Sequence, residues 1–215
     1  QFNRSLRSLS AREFIDQVLI AGLDIRCLVV GDDFRFGHDR SGNYSLLRQA
    51  GLEHGFDVLD THTLEYQGER ISSTRVRSAL ECADFGLAET LLGRPYRITG
   101  RVVYGQRLGQ QLGVPTVNVH LNRYRAPLSG VFVVEVFLDG RCLPGVANVG
   151  VRPTVGDLIK PVLEVHLLDF DEDLYGQRIH VEFKAKVREE AKFSSLGLMV
   201  EEIHNDITVA RQYFA

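Results

Sequence analysis

Apolar residues recur along this chain with two periods, a helical one at its start and end and a strand-like one through its middle. Behind the capping-box pattern Ser10-Ala11-Arg12-Glu13, Phe14, Val18 and Ala21 follow at helical spacing until Gly22. Arg26 to Val30 is a short apolar run suited to a buried strand. A polar helix is expected from Tyr44 to His54 and a second strand from Asp57 to Leu59. That alternation predicts βαβ units on a parallel sheet, where ligands sit beyond the carboxyl ends of the strands. Gly31-Asp32-Asp33-Phe34-Arg35-Phe36-Gly37 falls at such an end.

The pattern changes after the short junction Leu92-Gly93-Arg94-Pro95. Arg97 to Tyr104, Gly130 to Leu138, Arg141 to Val149, Val162 to Leu168 and Arg178 to Val187 all read as strands. The last alternates, with Ile179, Val181, Phe183, Ala185 and Val187 expected inward and His180, Glu182, Lys184 and Lys186 outward. Asp139-Gly140 between two of these strands is a two-residue hairpin signal. Many short strands with glycine-rich turns predict a small antiparallel barrel. A final helix capped by Ser194 or Ser195 carries Leu196, Val200, Ile203, Ile207, Ala210 and Phe214 on one face, read as the face that packs on the barrel. The domain division expected is therefore 1–94 and 95–215.

The 215 residues are enough for two small domains with cores of their own, and 44% apolar with 25% charged residues is ordinary for a globular protein. A net charge of −3 does not favour nonspecific nucleic-acid binding, while leaving room for local basic patches, and no apolar run approaches the length needed to span a bilayer. Cys27, Cys82 and Cys142 are far apart and odd in number, which suits reduced thiols and a cytoplasmic location. The chain opens on Gln1 with no signal segment and is expected to begin in mid-protein.

Three stretches offer chemistry. Gly100 to Val119, GRVVYGQRLGQQLGVPTVNV, has glycines at 100, 105, 109 and 113 and closes on Pro115-Thr116-Val117-Asn118. Glycines let backbone amides approach phosphates. The stretch is not a Walker loop, because Gln106-Arg107 stands where Lys-Ser/Thr is required. Thr116 and Asn118 point to one side of an extended segment, where their oxygens could hold Mg²⁺ bound to nucleotide phosphates. Alone, the stretch also reads as a glycine-rich hairpin with a polar end. In Ile71-Ser72-Ser73-Thr74-Arg75-Val76-Arg77, three hydroxyls open a predicted helix whose free amides attract anions, or simply cap it. Glu164 sits within the apolar run Val162 to Leu168, either as a paired, working carboxylate or as a strand-edge residue facing water.

Together these stretches resemble the bacterial bifunctional riboflavin kinase/FAD synthetase family in several motifs, taken in the family's order. Gly-x4-Gly-x3-Gly-x3-Gly-x-Pro-Thr-x-Asn is similar to the kinase signature, with Val117 in place of the usual alanine and Gln110 where relatives often carry a basic residue. Glu164-x-His166-x-x-Asp169-Phe170, followed by Asp173-Leu174-Tyr175-Gly176, resembles the strand that bears the catalytic base. Val165 replaces a frequent threonine and should point away from Glu164. Val187-Arg188-Glu189-Glu190-Ala191-Lys192-Phe193 is similar to the segment beside the isoalloxazine, and Ile71 to Arg77 with Gly31 to Gly37 to the adenylyltransferase module.

The resemblance implies a truncated Rossmann-like nucleotidylyltransferase α/β domain followed by a six-stranded antiparallel Greek-key β-barrel with a C-terminal helix. It implies transfer of the ATP γ-phosphate to the 5′-hydroxyl of riboflavin, giving FMN and ADP. Glu164 is the expected base, and Thr116 and Asn118 the expected ligands of Mg²⁺. Gly105, Gly109 and Gly113 are expected around the phosphates, with Leu167, Asp169 and Tyr175 near the nucleotide. Arg188 and Phe193 are expected at the flavin, and Ser73, Thr74 and Arg77 as a phosphate grip in the first module. That module normally carries a His-x-Gly-His loop, which occurs nowhere in these 215 residues, so FMN adenylylation is expected to be lost here. Expected partners are riboflavin/FMN and ATP/ADP, with no nucleic acid, no membrane and no obligate protein partner. The alternatives are a non-catalytic flavin- or nucleotide-binding module and an isolated adenylyltransferase.

Overall fold

The computed structural model describes residues 3–31, 33–105, 109, 112–121, 126–153 and 159–215. Asp32, Gln106, Arg107 and Gln110, all invoked above, lie outside the described residues. The chain forms two compact units, Gln1–Ile71 and Ser72–Ala215.

In the first unit, α1 (Arg4–Ser8) is capped by Asn3. α2 begins at Ala11–Glu13 behind the reciprocal Ser10/Glu13 capping box. It then widens over Phe14–Ile20, where the Ala21 amide donates back five residues to the Asp16 carbonyl. The buried face consists of Ala11, Ile15 and Leu19, while Ala21 is exposed; the apolar stripe is rotated by one residue from the expected Phe14, Val18 and Ala21. β1 (Cys27–Gly31) pairs in parallel with β2 (Asp57–Thr61), and α3 (Tyr44–His54) makes the crossover, capped by Asn43 and closed by Gly55. Ile15, Phe36, Leu47, Ala50 and Phe56 form its core. A short ladder, β3 (Glu65–Tyr66) with β4 (Glu69–Arg70), ends the unit.

The second unit opens with α4 (Ser73–Glu81), capped by Ser72, and α5 (Phe85–Leu92), capped by Asp84. Six antiparallel strands follow: β5 (Arg97–Val103), β6 (Val117–Val119), β7 (Gly130–Leu138), β8 (Arg141–Pro153), β9 (Ile159–Leu167) and β10 (Arg178–Arg188). They close as a barrel in the order β10-β5-β6-β9-β8-β7. Pairing of β6 with β9, rather than with its chain neighbour β7, is the Greek-key step. Asp139 and Gly140 both have positive φ, 46° and 78°, the primed turn that joins β7 to β8 without splaying them.

Ala79, Leu80 and Ala88 from the two helices share the barrel's interior core with Phe132, Leu163, Val165, Val181 and Phe183. A second apolar layer lies outside the barrel, where Val131, Val133, Val146 and Leu168 pack against Ala210, Ile207 and Phe214 of α6 (Leu196–Phe214), capped by Ser195. Leu196, expected on the packed face of that helix, is 54% exposed.

β10 departs from the simple alternation. Ile179, Val181 and Phe183 point inward, but register shifts between Phe183 and Ala185 and between Lys186 and Arg188 carry Ala185 and Val187 to the outer layer beside α6. An added residue reverses the faces that follow it. Glu182, expected outward and polar, is only 3% exposed because Arg97 and Lys184 both donate to it.

Candidate active site

β9 sits between β6 and β8, so its alternation sorts its residues sharply. Leu163, Val165 and Leu167 fill the barrel interior, and Glu164 and His166 face outward. The side chain at 165 points away from Glu164, as expected, and Glu164 is no strand-edge residue.

Cross-strand register builds a row on that outer face. Asn118 lies opposite Glu164, Glu164 opposite Asn148, Asn148 opposite Val131, and Val131 opposite Arg188. Two residues along, His166 lies opposite Val146, and Val146 opposite Val133. Opposed residues in an antiparallel pair project to the same face, so these side chains form one surface. α6 and the segment after β10 cover it and leave a cavity of about 260 Å³. Thr116, Asn118, Glu164 and His166 line one end. Val131, Val146, Phe193, Met199, Ile203 and Ile207 line the other together with the charged Arg188, Glu190 and Asp206, and Asn148 stands between the ends.

The polar end is tightly fitted. His166 Nδ1 lies 2.8 Å from the Pro115 carbonyl, which can only accept, so Nδ1 carries the proton and the ring ties β9 to the turn bearing Thr116. A Cβ at Gly105 would collide with the Asn118 carboxamide, and one at Gly109 would reach 3.2 Å from Thr116 Oγ1. The two glycines thus let backbone lie directly against the two proposed metal ligands. Thr116 and Asn118 offer two hard oxygens. Among the described residues no cluster of three or more His, Cys, Asp or Glu could hold a metal by itself. That donor set fits a cation whose remaining ligands are phosphate oxygens and water.

At the other end Arg188 is held in place. Its Nε and Nη2 donate to the two oxygens of Asp206 at 2.9 and 2.8 Å, and its guanidinium lies 5.6 Å from the centre of the Phe193 ring. Asp206 interrupts the apolar face of α6 and is 4% exposed; burial pushes its carboxyl up despite the pull of Arg188. Sequence reasoning missed Asp206 and Asn148. A charge inside an apolar helical stripe was the available signal for the first. For the second there was none, because its significance lies in a register that the chain order does not state.

The structure gathers Gly109, Thr116, Asn118, Glu164, Arg188 and Phe193 into one cavity. Gly105 abuts it through Asn118, and Gly113, with φ of 76°, lies in the turn before Thr116. The other expected residues do not line it. Leu167 is buried in the barrel interior, and Tyr175 stacks on Tyr104 with ring centres 3.8 Å apart. Asp169, in the left-handed region at φ 53°, is exposed, and hydrogen bonds from Arg211 of α6 hold its carboxyl below the usual range. Ser73 and Thr74 are exposed at the start of α4, where Arg77 donates to Thr74 at 3.3 Å. Gly31 and Asp33 to Gly37 belong to the first unit.

The barrel is that of a flavokinase. The family model for riboflavin kinase matches residues 92–214, and the model for FAD synthetase matches residues 1–75. The chain belongs to the family of bifunctional riboflavin kinase/FMN adenylyltransferases. It is 55% identical over 210 residues to the enzyme of that name from Pseudomonas fluorescens, covering 98% of this chain and 68% of the relative. It is 48% identical over 215 residues to the one from Escherichia coli strain K12, covering the whole of this chain and 68% of that relative. A crystal structure from Streptococcus pneumoniae named as a macrolide-efflux protein superposes with a TM-score of 0.72 at 30% identity, over 98% of this chain and 68% of that one. Among the described residues no helix is long and apolar enough to cross a membrane.

Proposed function

We propose that this chain is a riboflavin kinase, transferring the ATP γ-phosphate to the 5′-hydroxyl of riboflavin. The observation that carries the reading is the cavity row in which Glu164 stands between Asn118 and Asn148, with Thr116 at one end and, at the other, a mostly apolar wall with Phe193 that also bears the Arg188–Asp206 pair. A flavin has matching chemistry, a ring system with apolar faces and a polar edge on a hydroxylated chain. A module that only binds flavin needs no carboxylate beside two hard-oxygen donors.

In this reading Glu164 accepts the proton of the 5′-hydroxyl as the oxygen attacks. Thr116 and Asn118 hold Mg²⁺, which when bound neutralises phosphate charge. Backbone at Gly105, Gly109 and Gly113 encloses the phosphates and excludes water. Phosphoryl transfer demands positioning more than covalent assistance, and rigid strand-borne groups supply it. Leu167, Asp169 and Tyr175 are proposed near the nucleotide, and Arg188 and Phe193 at the ring. Ser73, Thr74 and Arg77 are proposed as the anion grip of an adenylyltransferase segment spanning 1–94, ahead of a kinase domain spanning 95–215. A cytoplasmic setting belongs to the same proposal, and the free thiols at Cys27, Cys82 and Cys142 suit it.

Product analysis with riboflavin, ATP and Mg²⁺ tests the activity, with FMN and ADP as the expected products. Glu164→Gln is expected to lower kcat by about 10²–10⁴ while flavin binding, followed by fluorescence, persists. Surviving turnover would remove Glu164 as the base.

A further inference from the structure

Asn148 is a polar residue that the sequence motifs do not mark. It sits on β8 directly across from Glu164 on one side and Val131 on the other, and its side chain lines the cavity. Among the described residues its carboxamide makes no hydrogen bond within the protein. Asn118 flanks Glu164 on the opposite side, nearer Thr116. An acceptor substrate whose terminal hydroxyl meets Glu164 therefore cannot extend toward the proposed nucleotide side, and must run over Asn148 toward the apolar end.

Strand spacing sets what falls there. Neighbouring strands lie about 4.8 Å apart, so Glu164 to Val131 spans about 10 Å. A five-carbon chain held extended is longer than one spacing and shorter than two. With its terminal oxygen at Glu164, its middle hydroxyls lie over Asn148, and the ring begins at Val131 and Val146 under Ile203 and Ile207. A carboxamide has two donors and an acceptor, which matches successive hydroxyls that each give and take.

We infer that Asn148 is a specificity-determining residue that binds the chain hydroxyls of the flavin and selects a polyhydroxylated chain over a plain alkyl one. This rests on the riboflavin kinase reading above. The test compares riboflavin with a flavin bearing a 5-hydroxypentyl chain, which keeps the terminal hydroxyl and lacks the other three. Binding is followed by flavin fluorescence, and phosphorylation by product formation, in the unaltered protein, Asn148→Ala and Asn148→Ser.

The unaltered protein is expected to prefer riboflavin by about tenfold or more, one to two net hydrogen bonds. In Asn148→Ala the preference is expected to shrink to within about threefold, with the loss falling on riboflavin alone. Asn148→Ser, which keeps a donor and an acceptor in a smaller side chain, is expected to fall between, and it serves where the alanine variant does not fold. An unchanged preference in the folded variants overturns the assignment of Asn148. If the unaltered protein binds neither flavin, the kinase reading itself fails, a result distinct from the first.

Discussion

Asp206 occupies a position where the helical stripe of α6 calls for an apolar side chain, and its carboxylate holds Arg188 at two points. Asp206→Ala leaves a largely buried guanidinium without its main acceptor, at a cost of about 2–3 kcal/mol, and loosens the wall that Phe193 shares. Denaturant unfolding should show that loss, and riboflavin affinity should fall with it. Because asparagine keeps one acceptor oxygen for the guanidinium, Asp206→Asn should be the milder change. At the polar end, Gly105→Ala drives a methyl into the Asn118 carboxamide. The expected result is a rise of about tenfold or more in KM for MgATP, with the circular dichroism of the barrel unchanged. Steady-state kinetics at varied ATP read it directly.

At the scale of elements, most of what builds the site was legible. The β9 alternation around Glu164, the Asp139-Gly140 turn and the Ser195 cap follow from local patterns, and the structure has each where the residues put it. β10 was legible only in its first half. Its composition stays alternating through Val187, but a bulge is set by what the neighbouring strand and helix demand, and the register shifts carry Ala185 and Val187 to the outer layer beside α6. The offset in α2 has a similar origin. Ser10 and Glu13 specify where the helix starts, whereas packing on Leu47 and Phe36 selects Ala11, Ile15 and Leu19 as its buried face.

For the whole molecule, charge buried in the barrel wall makes stability depend on pH. Burial pushes Glu182 up, but hydrogen bonds from Lys184 and Arg97 outweigh it and leave the carboxyl below its ordinary range. Lys184 loses by burial yet gains more from Glu135 and Glu182, and is raised to about 12. A depressed carboxyl stabilises the fold above its unfolded-state value, and that contribution disappears as pH falls through the folded-state value; a raised amine stabilises below its ordinary value up to about 12. Glu182→Gln should therefore differ from the parent most at neutral pH, and the two thermal unfolding curves should converge on acidification below the usual glutamate range. A difference constant with pH would show that Glu182 acts through packing alone.

The sequence by itself determined the two classes of architecture, the element boundaries near the caps and turns, and the residue types proposed for phosphate, cation and proton. Those depend on periodicity, φ preferences and side-chain chemistry, which act within a few residues. Only the tertiary structure decided that Glu164 lies between Asn118 and Asn148, that Arg188 is clamped by Asp206, and that Leu167 and Tyr175 stand outside the cavity. Those relations join strands and a helix far apart in the chain. They are set by the closure of the barrel and the register of its pairs, where a shift of one residue exchanges the inner and outer faces.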